Sequence, residues 1–219
     1  MNADKNIFLG IGTGRNGSTS LATLINRQLD TFCSHEHYPK LTWSIDANLL
    51  SRHIFRLKRL QLSYNHVGDF AHWWLPYLNI LISEFPKIKI LILKRNCKET
   101  TESFMSIHDK NKGGDNANHW IDHDGDFYAK STWDPCYPKL NTCESLEDAL
   151  IKYWENYYEE ANFFFNKYPK NCLLVQTEQI SKEVTQKEIF NFLGYKKPTI
   201  YKSLHLNRGH ILDSDPIFR

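Results

Sequence analysis

The stretch from Ile7 to Leu21, IFLGIGTGRNGSTSL, limits what this chain can fold into more than any other. An apolar run (Ile7, Phe8, Leu9, Ile11) meets Gly12, Gly14 and Gly17, and Ser18, Thr19 and Ser20 then open an apolar pattern at Leu21, Leu24, Ile25 and Leu29. The run reads as a buried strand and the pattern as a helix. A glycine-rich turn between them builds an anion cradle. Glycines let backbone N–H groups turn inward, and the helix start adds unpaired donors and the positive end of a dipole.

What the turn lacks narrows its chemistry. A nucleotide-hydrolysing loop reads G-x-x-x-x-G-K-[ST], with lysine on the terminal phosphates and a hydroxyl on magnesium. Gly12 and Gly17 have that spacing, but Ser18 stands in the lysine position and the cation comes earlier, at Arg15. The loop therefore suits a phosphate-like group without the ATPase arrangement. At these residues the chain resembles the sulfotransferases that use 3′-phosphoadenosine 5′-phosphosulfate. Their 5′-phosphosulfate loop has the form basic–x–Gly–[Ser/Thr]–Thr, which Arg15-Asn16-Gly17-Ser18-Thr19 matches. The resemblance implies that Gly14, Arg15, Asn16, Gly17, Ser18, Thr19 and Ser20 contact the donor.

The remaining sequence alternates strand and helix patterns. Thr31-Phe32-Cys33 is a short strand leading into Ser34-His35-Glu36-His37, and Leu41 to Leu62 is helical with a basic side (Arg52, Arg56, Lys58, Arg59). His66 to Phe70 reads as a third strand, followed by an aromatic helix through Trp73, Trp74, Leu75, Leu78 and Ile82. Lys87 to Leu93 is a buried strand and Cys97 to Ile107 a helix. Between Asp109 and Thr142 periodicity gives way to Gly, Asn, Asp, His and Pro, the composition of a long loop or insertion. Ser145 to Tyr168 is a helix, Cys172 to Gln176 a strand, and Ser181 to Leu193 a helix with Ser181 as its N-cap and Gly194 as its stop. The expected architecture is α/β: a three-layer sandwich with a mainly parallel five-stranded sheet of the P-loop nucleotide-binding type. With 219 residues, 41% apolar, and no linker in view, a single domain spans 1–219, carrying the loop-rich insertion at about 109–142.

In such a sheet, ligands gather at the carboxyl ends of the strands. Those ends carry Arg15; Ser34, His35, Glu36 and His37; Asp69 and His72; and Lys94 and Arg95. The fourth holds a second resemblance to the sulfotransferases, which place an arginine just after this strand and a serine eight residues later on the 3′-phosphate of the donor. Arg95 and Ser103 have that spacing. An arginine fork pairs with two phosphate oxygens, and a hydroxyl from the adjoining helix completes the site. Near the end, Asn207-Arg208-Gly209-His210 loosely resembles the family's basic-glycine element, which implies a nucleotide contact for Arg208; a solvated tail arginine is the other reading.

Sulfuryl transfer needs a base for the acceptor hydroxyl or amine, and positive charge at the bridging oxygen. By resemblance Arg15 takes the second part. Glu36 is the first choice for base, because branches of the family place a glutamate just after the second strand. His35 and His37 compete, since a histidine serves in the cytosolic branch and titrates near neutrality. The resemblance implies 3′-phosphoadenosine 5′-phosphosulfate as donor, its 3′,5′-bisphosphate as product, and no metal; a sulfuryl group carries less charge than a phosphoryl group. The acceptor, whether a small molecule, carbohydrate or lipid, is not encoded, and neither is the oligomeric state.

Other features point elsewhere less well. Asp122, Asp124 and Asp126 imitate a calcium loop but lack its glycine and closing glutamate, and His119 and His123 lack the glutamate of a zinc-protease helix. Trp73, Trp74 and Tyr77, and the aromatic run Tyr153 to Phe165, read as core. Arg52 to Arg59 reads as a solvated face, although an anionic acceptor could use it. A net charge of +2, from 27 basic and 25 acidic residues, argues against a nucleic-acid partner held through phosphates. No run is long enough to span a bilayer, and MNADKNIF has no signal-peptide core. Five cysteines without a CxxC pair suit a reducing cytoplasm, with Cys136 and Cys143 as the pair that could form a local bridge. Two rival functions stand: a P-loop kinase with an altered loop, which would need ATP and magnesium, and a non-catalytic nucleotide-binding module.

Overall fold

A computed structural model describes residues 5–110, 136–138 and 142–201. Its strands are β1 (Asn6–Ile11), β2 (Thr31–His35), β3 (His66–Phe70), β4 (Lys89–Lys94) and β5 (Cys172–Gln176). Its helices are α1 (Ser18–Asn26), α2 (Ala47–Leu60), α3 (Leu78–Glu84), α4 (Cys97–Lys110), α5 (Leu146–Lys167) and α6 (Glu183–Phe192), with a 3-10 segment at His72–Tyr77 and a short one at Thr177–Gln179. All four strand pairings are parallel, in the order β2-β3-β1-β4-β5.

Alternation along β1 and β4 decides the layers. Ile7, Leu9, Ile11, Ile90 and Ile92 turn to one face and pack with Leu50 and Leu57 of α2, Trp73 to Leu75, Leu81 of α3, and Ala149 and Tyr157 of α5. Phe8, Leu91 and Leu93 turn to the other, against Leu21, Leu24 and Ile25 of α1 and Ile189 and Phe190 of α6. Apolar residues of both parities on one strand require cover on both sides, and parallel neighbours require crossovers. Helices supply both.

Two glycines let the outer cover approach. The register sets Phe8 opposite Gly68 and Gly10 opposite Phe70, so each ring lies over the partner strand's glycine. The rings meet edge to face at 6.4 Å. A Cβ on Gly68 would stand 2.2 Å from the Phe8 ring, and one on Gly10 would stand 1.8 Å from the Phe70 ring.

Several element bounds differ from the sequence expectation for identifiable reasons. Helix α2 begins at Ala47, not Leu41, because Asp46 caps it by accepting from the Asn48 and Leu49 amides at 2.9 and 3.0 Å. The preceding residues instead cross over the Tyr77 hydroxyl, which accepts the Asp46 N–H at 3.1 Å. The expected helix from Trp73 opens as 3-10, and Trp73, Trp74 and Tyr77 are fully buried, as the core reading had them. Strand β4 runs to Lys94. Helix α1 ends before Leu29, which is exposed. The N-cap of α6 is Lys182, not Ser181: the Lys182 amide still donates to the Gln179 carbonyl of the preceding turn, and its own carbonyl accepts the first helical bond from Gln186. Cys136 and Cys143 are free thiols. Among the described residues no helix is long and apolar enough to cross a membrane.

Gly68→Ala and Gly10→Ala should each cost about 1–3 kcal/mol, as overpacked positions do, measured by urea unfolding. An unchanged midpoint would mean that the two rings can move aside.

Candidate active site

The loop after β1 is held in a conformation that only a few residue types allow. A Cβ on Gly12 would lie 2.4 Å from the Leu93 carbonyl oxygen, so β1 and β4 can approach there only because it is absent. Gly17, the N-cap of α1, has φ 83°, and Arg15 takes φ 65° although it carries a side chain. Asn16 is buried; its Oδ1 accepts the Ser18 N–H at 3.0 Å, and its carbonyl accepts the Thr177 hydroxyl at 2.6 Å.

Helix α5 braces this loop from the core side. The Gly12 N–H donates to the Tyr157 hydroxyl at 3.0 Å, and that hydroxyl donates to the His72 carbonyl at 2.8 Å. The Gly14 N–H donates to the Tyr153 hydroxyl at 3.2 Å, while the Tyr158 hydroxyl donates to the Leu93 carbonyl. Burial raises all three phenols above their ordinary range, Tyr158 to about 12, so they act as neutral hydroxyls. The core reading of this aromatic run accounts for the rings and misses the hydroxyls. The signal was tyrosine rather than phenylalanine at three inward positions, since a buried phenol needs a partner.

The two resemblance motifs meet in space. Arg15 Nε donates to Ser103 Oγ at 3.0 Å, and Arg95 Nη1 donates to the Arg15 carbonyl at 3.1 Å. Arg95 Nε also pairs with Glu99 at 3.1 Å, and Trp154 Nε1 fixes the Arg95 carbonyl at 3.0 Å. Ser103 thus stands against Arg15 rather than sharing a contact with Arg95. Burial of the Arg15 guanidinium, and then the Arg95 charge, lower the Arg15 pKa. Two cations this close favour an anion between them. The location is also the switch point of the sheet, where the chain leaves β1 toward β2 and leaves β4 toward β5.

The three base candidates occupy different surroundings. His35 Nε2 lies 2.9 Å from the Ser18 hydroxyl and 3.3 Å from the Thr19 hydroxyl, at the start of α1. Burial lowers its pKa, which keeps the ring neutral. His37 meets the His53 ring edge-on at 6.1 Å, and burial, with the Arg56 charge second, lowers its pKa to about 4. Glu36 is half-exposed, 3.8 Å from Lys40 Nζ, and holds φ 51°. Its N–H donates to the Phe70 carbonyl at 2.9 Å. Arg56 departs from the solvated-face reading: it is half-buried, stacks over Phe32 at 5.2 Å and reaches Ser34 Oγ at 3.4 Å. Arg52, Lys58 and Arg59 of the same helix are exposed. Arg208, the acidic cluster Asp122, Asp124 and Asp126, His119 and His123, and most of 109–142 lie outside the described residues.

A five-stranded parallel sheet between helical layers, with a glycine-rich loop at its switch point, defines an α/β fold of the P-loop nucleotide-binding kind. No family model and no curated protein matches this chain. Solved structures do. A sulfotransferase from Alicyclobacillus acidocaldarius superposes with a TM-score of 0.59 at 14% identity, over 93% of this chain and 85% of that one. The sulfotransferase domain from the curacin biosynthetic pathway gives 0.54 at 14% identity, over 86% of this chain and 74% of that one. The chain therefore has a sulfotransferase-like fold.

Two outcomes follow from this geometry. Tyr157→Phe removes the partner of the Gly12 N–H and of the His72 carbonyl, and should lower stability by about 1–3 kcal/mol in urea unfolding. The histidines give a pH dependence whose sign is fixed. His37 has a folded pKa of about 4, below its unfolded value of roughly 6.5, so the unfolded chain binds the proton more readily. Its contribution is fully present above roughly pH 6.5 and is lost as pH falls toward 4; His35 acts in the same direction. The urea midpoint should fall across that window, and His37→Asn should flatten the fall.

Proposed function

We propose that this chain is a sulfotransferase that moves a sulfuryl group from 3′-phosphoadenosine 5′-phosphosulfate to the hydroxyl or amine of an acceptor. The observation that carries the reading is the convergence of Arg15, Arg95 and Ser103 at the switch point, with Arg15 Nε 3.0 Å from Ser103 Oγ and Arg95 Nη1 3.1 Å from the Arg15 carbonyl. The sulfotransferase-like fold supports it independently.

In this reading the loop from Gly14 to Ser20 and the start of α1 receive the 5′-phosphosulfate. Backbone N–H groups, the Ser18 and Thr19 hydroxyls and the Arg15 guanidinium supply the positive field. Arg95 and Ser103 receive the 3′-phosphate, and the Glu99 carboxylate leaves Arg95 Nε when that anion arrives. Arg208 is assigned to the nucleotide on its motif alone. Glu36 is the base, because it alone of the three candidates is a half-exposed carboxylate; His35 is engaged with Ser18 and Thr19, and His37 is packed on His53. The acceptor oxygen or nitrogen attacks sulfur, and Glu36 takes its proton. The bond between sulfur and the bridging oxygen breaks, and its electron pair leaves with the 3′,5′-bisphosphate while Arg15 faces that oxygen. No residue of this set requires a divalent ion. We assign the chain to the cytoplasm on its cysteine usage.

Calorimetric titration with 3′,5′-bisphosphorylated adenosine, without magnesium, tests the donor site against ATP with magnesium. The bisphosphate should bind, and Arg95→Ala should weaken it by about 10- to 100-fold, the loss of one charge-assisted contact. Glu36→Gln should leave that affinity within a few fold and lower kcat by about 10²–10⁴. Binding of ATP alone would overturn the reading in favour of a kinase.

A further inference from the structure

We propose that Asp69 is the positioning residue for Glu36: its buried carboxylate grips the chain on both sides of Glu36 and holds that residue in its left-handed conformation. The inference rests on the reading of Glu36 as the base. Asp69 is 1% exposed in β3, directly opposite Ser34 in the parallel register with β2. Its Oδ1 accepts the Ser34 hydroxyl at 2.6 Å and the His37 N–H at 3.3 Å, and its Oδ2 accepts Trp74 Nε1–H at 2.8 Å. Ser34 lies two residues before Glu36 and His37 one after it. Between these anchors the Glu36 N–H is tied to the Phe70 carbonyl at 2.9 Å, next to Asp69 in the same strand.

The arrangement answers a specific need. Glu36 has φ 51°, a region disfavoured for any residue with a Cβ, which persists only where the surroundings over-determine it. Three donors, from Ser34, His37 and Trp74, converge on one side chain, and only a group that accepts at both ends meets them all. A carboxylate does; an asparagine offers one acceptor and one donor, so its NH₂ must face either Trp74 Nε1–H or the Ser34 and His37 side. The charge is compensated from α2, where Arg56 reaches the same Ser34 hydroxyl at 3.4 Å. Asp69 bonds Ser34, His37 and Trp74, and so acts on the chain around the base rather than on Arg15, Arg95 or Ser103.

The test compares Asp69→Asn, and the nearly isosteric Asp69→Leu, with the unaltered protein and with Glu36→Gln. Amide exchange by NMR reads the conformation directly: the His37 and Glu36 amides should exchange at least tenfold faster in both Asp69 variants, with core amides such as those of Leu91 and Ile92 unaffected. In sulfuryl transfer from 3′-phosphoadenosine 5′-phosphosulfate to a panel of simple phenol, sugar and amine acceptors, Asp69→Asn should lower kcat by about 10- to 100-fold. The Kd for 3′,5′-bisphosphorylated adenosine should stay within twofold. Added to Glu36→Gln, the same change should cost less than twofold more, because both act through one group. Equal losses in both backgrounds, or unchanged exchange at His37, would overturn the proposal. A Glu36→Gln variant as fast as the unaltered protein would instead overturn the base assignment beneath it, while the exchange data would still report whether Asp69 holds the 36–37 backbone. If Asp69→Leu does not fold, Asp69→Asn alone decides.

Discussion

The hydrogen bond from the Gly12 N–H to the Tyr157 hydroxyl ties the glycine-rich loop to the rest of the molecule. At Gly12 the chain leaves the central strand, and its amide can no longer pair within the sheet. A buried N–H without a partner costs about 1–3 kcal/mol, so some group must reach it. Tyr157 does so and donates its own O–H to the His72 carbonyl, on the segment leaving β3. One hydroxyl thereby joins the exits of β1 and β3. Tyr153 and Tyr158 repeat the device at Gly14 and at Leu93, the latter near the exit of β4. The strand ends that carry the candidate site residues are set against a single helix, and their relative placement follows from its rigidity.

Much of this was legible from residue patterns, and what was not has physical reasons. Runs such as Ile90 to Leu93 announce a doubly covered strand because consecutive positions of both parities are apolar. The glycines, Arg15 and the Arg95–Ser103 spacing mark a site because their residue types are costly or unusual where they stand. Asp69 and Tyr157 were not assigned their roles, since a carboxylate near a strand end or a tyrosine in an aromatic helix looks the same whether or not a distant backbone amide points at it. Pairings such as Tyr157 with Gly12 join residues 145 positions apart, beyond any local pattern. Element ends shifted for a related reason. Helix α2 starts at Ala47, capped by Asp46, and not at Leu41, because the intervening chain crosses Tyr77, a contact made by the fold.

Strain and the proposed site coincide at two points. The described residues include three non-glycine positions with positive φ, and two of them are Arg15 and Glu36, the residues proposed to face the bridging oxygen and the acceptor. Each is flanked by fixed neighbours: Arg15 by buried Asn16 and by the Arg95 guanidinium on its carbonyl, and Glu36 by the Ser34 and His37 contacts to Asp69. The left-handed conformation of Glu36, directly after β2, breaks the strand's alternation, and that of Arg15 lies within the glycine-rich loop. Backbone energy is spent to aim the two side chains, and buried neighbours prevent relaxation.

The electrostatics divide along the same line. On the β1 and β4 side, Arg15 and Arg95 lie close together, and Arg15 is the group whose proton affinity drops. This side gains stability from any anion that arrives. On the β2 and β3 side, Asp69 accepts from three donors and stands with Arg56, so its charge is already matched. The neutral His35 lies between them and hydrogen-bonds the Ser18 and Thr19 hydroxyls rather than adding charge to either. In the proposed reaction the anionic donor meets the first side and the uncharged acceptor hydroxyl the second. Arg15 and Arg95 recruit the first as Glu99 gives up Arg95 Nε, and the half-exposed Glu36 carboxylate meets the second. The proposed transfer between two different ligands accords with that asymmetry: Asp69 is taken up by the chain around Glu36, which leaves Glu36 as the carboxylate that meets the acceptor.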